Sequence, residues 1–172
     1  MRILILGFTN SGKTTFAEML RIEMALHWVR LGTTELYVSP AVFNSSDIII
    51  ADYCKDNRIP LCIVKVCKGW FRKKLYKYGQ MREKADPAYT YRPLLERDDI
   101  ILTGLRTYRQ VEVASRKADV VMWVSRPGCK AGPTDKMHRP SAARLVYNNG
   151  SLADLQEKAK LVAESLARKE TK

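Results

Sequence analysis

The chain has 172 residues, the size of one ordinary domain, and 46% of them are apolar, enough for a real core. Thirty Lys and Arg against 18 Asp and Glu give a formal net charge of +12, which points to an anionic partner such as a nucleotide or a nucleic acid. No apolar run nears the roughly 18 residues of a membrane span, and no repeat or low-complexity linker divides the chain, so one domain over 1–172 with no membrane contact is expected.

In chain order, residues 2–6 (RILIL) read as a buried first strand that runs straight into a glycine loop, not as a leader peptide. Residues 13–30 read as a helix with Ala17, Leu20 and Met24 on its apolar face and Gly32 as its stop. Residues 35–39 (ELYVS) read as a second strand, and Ser45 or Ser46 as the cap of a helix reaching about Asn57. After Pro60, LCIVKV at 61–66 reads as another buried strand, followed by a basic helix over about 69–78 and an irregular stretch at 79–93. Residues 99–103 form a strand, 107–117 a helix and 119–124 a strand. A mobile loop spans 125–143, broken by Pro127, Gly128, Gly132, Pro133 and Pro140. A short strand at 144–147 precedes a final helix capped by Ser151 with Asp154 three residues on. Strands alternating with helices imply an α/β fold: a mainly parallel sheet flanked by helices on both faces, with ligands outside the carboxyl ends of the strands.

Four cysteines, at 54, 62, 67 and 129, fit no zinc spacing and are expected as reduced, mostly buried thiols of a cytoplasmic protein. Cys62 and Cys67, in the strand read at 61–66 and just past it, are expected on opposite faces.

The segment Gly7-Phe-Thr9-Asn10-Ser11-Gly12-Lys13-Thr14-Thr15 fits the phosphate-loop pattern G-x-x-x-x-G-K-[ST], with a strand before it and a helix after it. Converging backbone N–H groups and the helix N-terminus suit phosphate, Lys13 suits the β- and γ-phosphates, and the Thr14 hydroxyl suits Mg²⁺. The expected cofactors are therefore ATP and Mg²⁺. The strand at 99–103 ends Thr103-Gly104 without the metal-side carboxylate common in phosphate-loop enzymes; Asp52 and Glu35 are alternatives. A switch GTPase is excluded by the absence of N-K-x-D and D-x-x-G elements.

Three basic groups follow strands or lie beside them. Segment 65–91 carries Lys65, Lys68, Arg72, Lys73, Lys74, Lys77, Arg82 and Lys84, interleaved with Trp70, Phe71, Tyr76 and Tyr78. Arg106 and Arg109 follow the strand ending at Thr103, and Arg126, Lys130, Lys136 and Arg139 follow the strand ending at Val124. Arginine suits phosphoryl transfer because its planar fork grips phosphate and stays charged.

Residues 71–91, the run Asp99-Ile-Ile-Leu-Thr-Gly-Leu-Arg106-Thr-Tyr-Arg-Gln-Val-Glu112, the segment Val124-Ser-Arg126-Pro127-Gly128 and the ending Asn148-Asn149-Gly150-Ser151-Leu152 occur in an order that resembles phage-type deoxynucleoside monophosphate kinases. The resemblance implies transfer of the ATP γ-phosphate to a (deoxy)nucleoside monophosphate. It implies Arg72, Arg82, Arg106 and Arg109 as acceptor-binding residues within about 33–95 and beyond. It also implies Lys13, Arg82, Arg106 and Arg126 as catalytic, a lid over about 125–143, and Asn149-Gly150 near the adenine. Segment 33–66, read with two strands, departs from that family's helical acceptor region. The alternative is a kinase acting on the hydroxyl of a modified base, of the hydroxymethyluracil type, in phage DNA. It would need a carboxylate base, for which Asp52 and Asp47 are candidates, and it draws on segment 65–91 as a nucleic-acid contact. A non-enzymatic nucleotide-dependent DNA-binding module is a third reading. A homodimer completes the expected partners.

Overall fold

The computed structural model describes residues 1–30 and 39–170. Among them lie five strands: β1 (Arg2–Leu6), β2 (Ala41–Asn44), β3 (Ile100–Thr103), β4 (Val120–Ser125) and β5 (Arg144–Tyr147). The helices are α1 (Lys13–Arg30), α2 (Ser45–Asn57), α3 (Leu61–Val66), α4 (Lys68–Ala85), α5 (Arg92–Glu96), α6 (Tyr108–Lys117) and α7 (Leu152–Glu170). The strands form one sheet in the order β2-β3-β1-β4-β5, with every neighbouring pair parallel. All carboxyl ends therefore point one way. Connections leave β1 towards β2 and β3 on one side, then cross to β4 on the other, which opens a crevice at the end of β1.

Alternation along β1 divides the core. Ile3 and Ile5 face α1 and α7 and pack with Phe16, Leu20, Leu155 and Ala159. Leu4 and Leu6 face the other way and pack with Leu94 of α5, Leu105, and Val111 and Ala114 of α6. A sheet buried on both faces explains why β1, β3 and β4 read as unbroken apolar runs. A third, separate core holds α2, α3 and α4 together through Ile50, Tyr53, Val64, Leu75 and Tyr78. Gly79 lies inside α4 because α2 crosses there; a Cβ at that position would sit 2.9 Å from Ile49 Cδ1.

Several elements differ from the sequence reading. The strand expected at 35–39 lies outside the described residues except for Ser39, which is not in a strand; β2 instead runs Ala41–Asn44, past Pro40. Residues 61–66 are helix and not strand: a short apolar run looks the same in either state, and here only Val64 turns fully inward, onto the small core. Cys62 is consequently exposed, Cys67 is the junction between α3 and α4, and Cys54 is the one fully buried thiol of the four, all of which are free. The basic helix runs on to Ala85, through much of the stretch expected to be irregular. Segment 45–66 is thus helical, not divided by a strand. The cap of α2 is Asn44, whose Oδ1 accepts from Ser46 N at 3.0 Å, and not a serine. The Ser151–Asp154 pair does cap α7, with the Ser151 N–H donating to Asp154 and the Asp154 N–H donating to Ser151 Oγ.

Candidate functional site: a phosphate cradle at the carboxyl edge of the sheet

The loop after β1 folds as its glycines dictate. Gly7 (φ 149°), Asn10 (φ 65°) and Gly12 (φ 89°) take positive φ, turning successive N–H groups to one side. Side chains are excluded at both glycines: a Cβ on Gly7 would lie 2.5 Å from Val124 O, and one on Gly12 2.4 Å from Asn148 Nδ2. The Ser11 N–H closes the turn on Phe8 O, and the Phe16 N–H donates to Gly12 O. The N–H groups of Lys13, Thr14 and Thr15 open the helix and have no acceptor within it. They sit, with the positive end of the helix dipole, on a cleft of about 650 Å³ lined in part by Thr9, Asn10, Gly12, Asn44, Arg106 and Arg126. The cradle therefore fits a polyphosphate.

Lys13 is buried to all but 8% of its surface and donates from Nζ to Phe8 O at 3.1 Å. Burial, and then the Arg106 guanidinium nearby, lower its pKa; Asp135 and Cys129 pull it partly back. An ammonium held in that state gains by meeting phosphate oxygens. Thr14 is exposed at the cleft, so its hydroxyl is open to a metal. Among the described residues no three His, Cys, Asp or Glu side chains cluster as a metal site. Of the expected metal-side groups, Glu35 lies outside the described residues and Asp52 lines a different depression, which leaves the Thr14 hydroxyl as the donor that could hold a Mg²⁺.

The residue that organises this site is Asp135, which the sequence reading did not single out. Its side chain is fully buried. Oδ2 accepts from Thr9 N at 2.9 Å, Thr9 Oγ1 at 2.8 Å and Gly132 N at 3.1 Å, while Oδ1 pairs with Arg106. Arg106 also donates to Thr9 Oγ1 at 2.8 Å. Burial opposes ionisation of Asp135, but the Thr9 and Gly132 amides, the Thr9 hydroxyl and Arg106 outweigh it and hold the carboxyl below its ordinary pKa. One carboxylate thus ties the 125–143 loop, the phosphate loop and the arginine after β3 together. The loop is anchored again where Met137 enters the core beneath α6, and Cys129 Sγ donates to Asn10 O at 3.4 Å. The middle of the segment expected to be a free lid is pinned to the body.

Beside the cleft, and sharing Thr9, Ser46, Lys68 and Arg106 with it, opens a second hollow that adds Arg72, Ile50, Tyr76 and Pro133. Of the arginines picked out in the sequence, Arg106 and Arg126 reach the cleft and Arg72 the hollow. Arg82 does not. It lines a different depression, donating to Asp52 at 3.4 Å and lying over the rings of Tyr78 and Tyr89. Tyr89 donates to the same Asp52 oxygen at 2.9 Å; burial and that bond raise the phenol's pKa. Arg109 stands apart too, in a groove between α4 and α6 with Lys77 and Lys84. After β5 it is Asn148, one residue before the expected pair, that touches the phosphate loop, donating to Ser11 O at 2.9 Å. Asn149 accepts from Lys158, and Gly150 packs on Asp154.

Fold and loop together define an α/β protein with a glycine-rich loop of the G-x-x-x-x-G-K-[ST] pattern at the switch point of a parallel sheet. Among solved structures the chain is similar to a protein of Thermus thermophilus called TT1252, at 17% identity and a TM-score of 0.51, over 95% of this chain and 96% of that one. A likeness at that identity concerns the fold. Neither a family model nor a curated protein matches the sequence. No helix among the described residues is long and apolar enough to cross a membrane.

Proposed function

We propose that the chain is an ATP-dependent phosphotransferase that passes the γ-phosphate to a (deoxy)nucleoside monophosphate. The carrying observation is the charge of the hollow beside the cradle: Lys68, Arg72 and Arg106 line it, and among the described residues no carboxylate does. An acceptor that is already an anion needs cations and no base, whereas a hydroxyl acceptor needs a base within hydrogen-bond reach. Both carboxylates weighed for that task are elsewhere: Asp52 faces the Arg82 depression, and Asp47 is exposed on the first turn of α2 without lining the hollow. Asp135 is saturated by its donors. The resemblance to phage-type monophosphate kinases supports the same acceptor; of segment 33–66, residues 61–66 are helical where a strand was expected, while β2 remains a strand at 41–44.

In this reading the loop amides and Lys13 hold the donor phosphates. Arg106, shared by cleft and hollow, sits where the transferring group passes, and Arg126 answers it from the end of β4. Lys68 and Arg72 hold the acceptor phosphate, and Tyr76 and Ile50 offer surfaces for its base. A magnesium ion on the Thr14 hydroxyl would neutralise charge between the donor oxygens.

The test offers labelled ATP and Mg²⁺ with each free monophosphate and, separately, with plain and hydroxymethylated DNA. Label on a free monophosphate is the expected result. Label on DNA alone would overturn the acceptor assignment, and no triphosphate uptake by folded protein would overturn the reading entirely.

A further inference from the structure

Helix α4 has two faces. Lys68, Arg72, Leu75 and Tyr76 turn to the hollow and the small core. The opposite face carries Trp70, Lys73, Lys74, Lys77, Met81 and Lys84, which recur at the three- and four-residue spacings of one helical stripe. All six are exposed, and Trp70 is 89% so. Val66, at the elbow before α4, is 85% exposed and extends the apolar end of the stripe. Among the described residues none of the four lysines makes an ion pair; Lys74 lies over the Phe71 ring. Glu83, which accepts from Gln110, shares the groove between α4 and α6 with Lys77 and Lys84; it is one carboxylate beside four lysines. The proposed phosphotransfer makes no use of this face.

From Trp70 to Lys84 the stripe runs about 21 Å at 1.5 Å per residue, far longer than one mononucleotide. It joins a bare indole to a row of unpaired ammonium groups. A stacking surface beside a cationic track suits single-stranded nucleic acid, whose bases are free to stack while its phosphates meet the lysines. We infer that the outer face of α4 docks single-stranded nucleic acid, with Trp70 stacking on a base. This goes beyond the proposed phosphotransfer and does not depend on it, because the face lies across α4 from the cleft.

The test is fluorescence anisotropy with labelled 20-residue DNA and RNA single strands, the matching duplex, and anionic lipid vesicles as competitor. Binding to a single strand is expected, with a salt slope of about −3 for four contacts at about −0.7 each. Trp70→Ala is expected to weaken it about tenfold, with Trp70→Phe retaining most of the affinity. The double variant Lys77→Gln, Lys84→Gln is expected to reduce the slope by about 1.4. Lys13→Ala is expected to bind strands normally, which separates this surface from the phosphate cradle. Binding of either strand above the duplex supports the inference. Unchanged affinity in folded Trp70→Ala, equal affinity for the duplex, or no binding of either strand would each overturn the inference.

Discussion

Replacing Asp135 by alanine strips three donors of their acceptor and leaves Arg106 without its counter-ion. The Thr9 and Gly132 amides and the Thr9 hydroxyl are part-buried, so each orphaned group costs on the order of 1 kcal/mol, near the lower end for such groups, and about 3 kcal/mol in all. For a chain of this length each kcal/mol moves Tm by about 2–4 °C, which puts the expected drop near 10 °C. Asp135→Asn keeps an oxygen for those three donors and loses only the Arg106 pair. Arg106 is 34% exposed, so water takes over much of its solvation, and the expected drop is about a third as large. Thermal melting followed by circular dichroism reads both. The acid side gives a second check. A carboxyl whose pKa is lowered on folding stabilises the fold above its unfolded value, and that stability is lost as pH falls through the folded one. The gap between wild type and Asp135→Asn should therefore narrow below about pH 4. Identical melting of wild type and Asp135→Ala at pH 7 would refute the role given to this residue.

Other outcomes follow from the cradle. Lys13→Ala should abolish phosphotransfer while leaving the melting curve near wild type, since the ammonium bonds one carbonyl; full turnover in that variant contradicts the loop assignment. With its pKa lowered by burial, Lys13 should give triphosphate affinity that declines with rising pH before the ordinary lysine value of about 10.4 is reached; calorimetric titration across pH 7–11 reads this, and a flat profile counts against it. Gly12→Ala should destabilise by about 2 kcal/mol or more, from the positive φ and the collision with Asn148, and should lose triphosphate binding; a fully active, equally stable variant is incompatible with the geometry described. Arg126→Ala should lower turnover more than ATP affinity, and an unchanged turnover number would remove Arg126 from the transfer step.

What could be read from the sequence was what is local. The cradle is one continuous motif with strand before and helix after, and β1, β3, β4 and β5 are apolar runs bounded by breakers. Residues 61–66 misled because six mostly apolar residues carry no period that separates strand from helix. What decides their state is packing: Val64 enters the small core formed with α2 and α4, the helices on either side of it in the chain. The short edge strand at 41–44 is half-buried throughout and gives little signal. Asp135 was invisible because two of its partners, Thr9 and Arg106, are 126 and 29 residues away, and only the folded sheet brings the ends of β1, β3 and β4 together. Arg82 and Arg106 look alike in the chain. One follows a strand into the cleft, and the other sits on a helix face turned to Asp52.

The helices opposite the cradle keep their own small core, built on Tyr53, Val64 and Leu75 and distinct from the two that clothe the sheet. Under the proposed transfer, substitutions that reshape this layer would alter the wall meeting the acceptor and leave the packing under the glycine loop untouched. Acceptor choice would then be free to drift while the seat of the donor stays fixed.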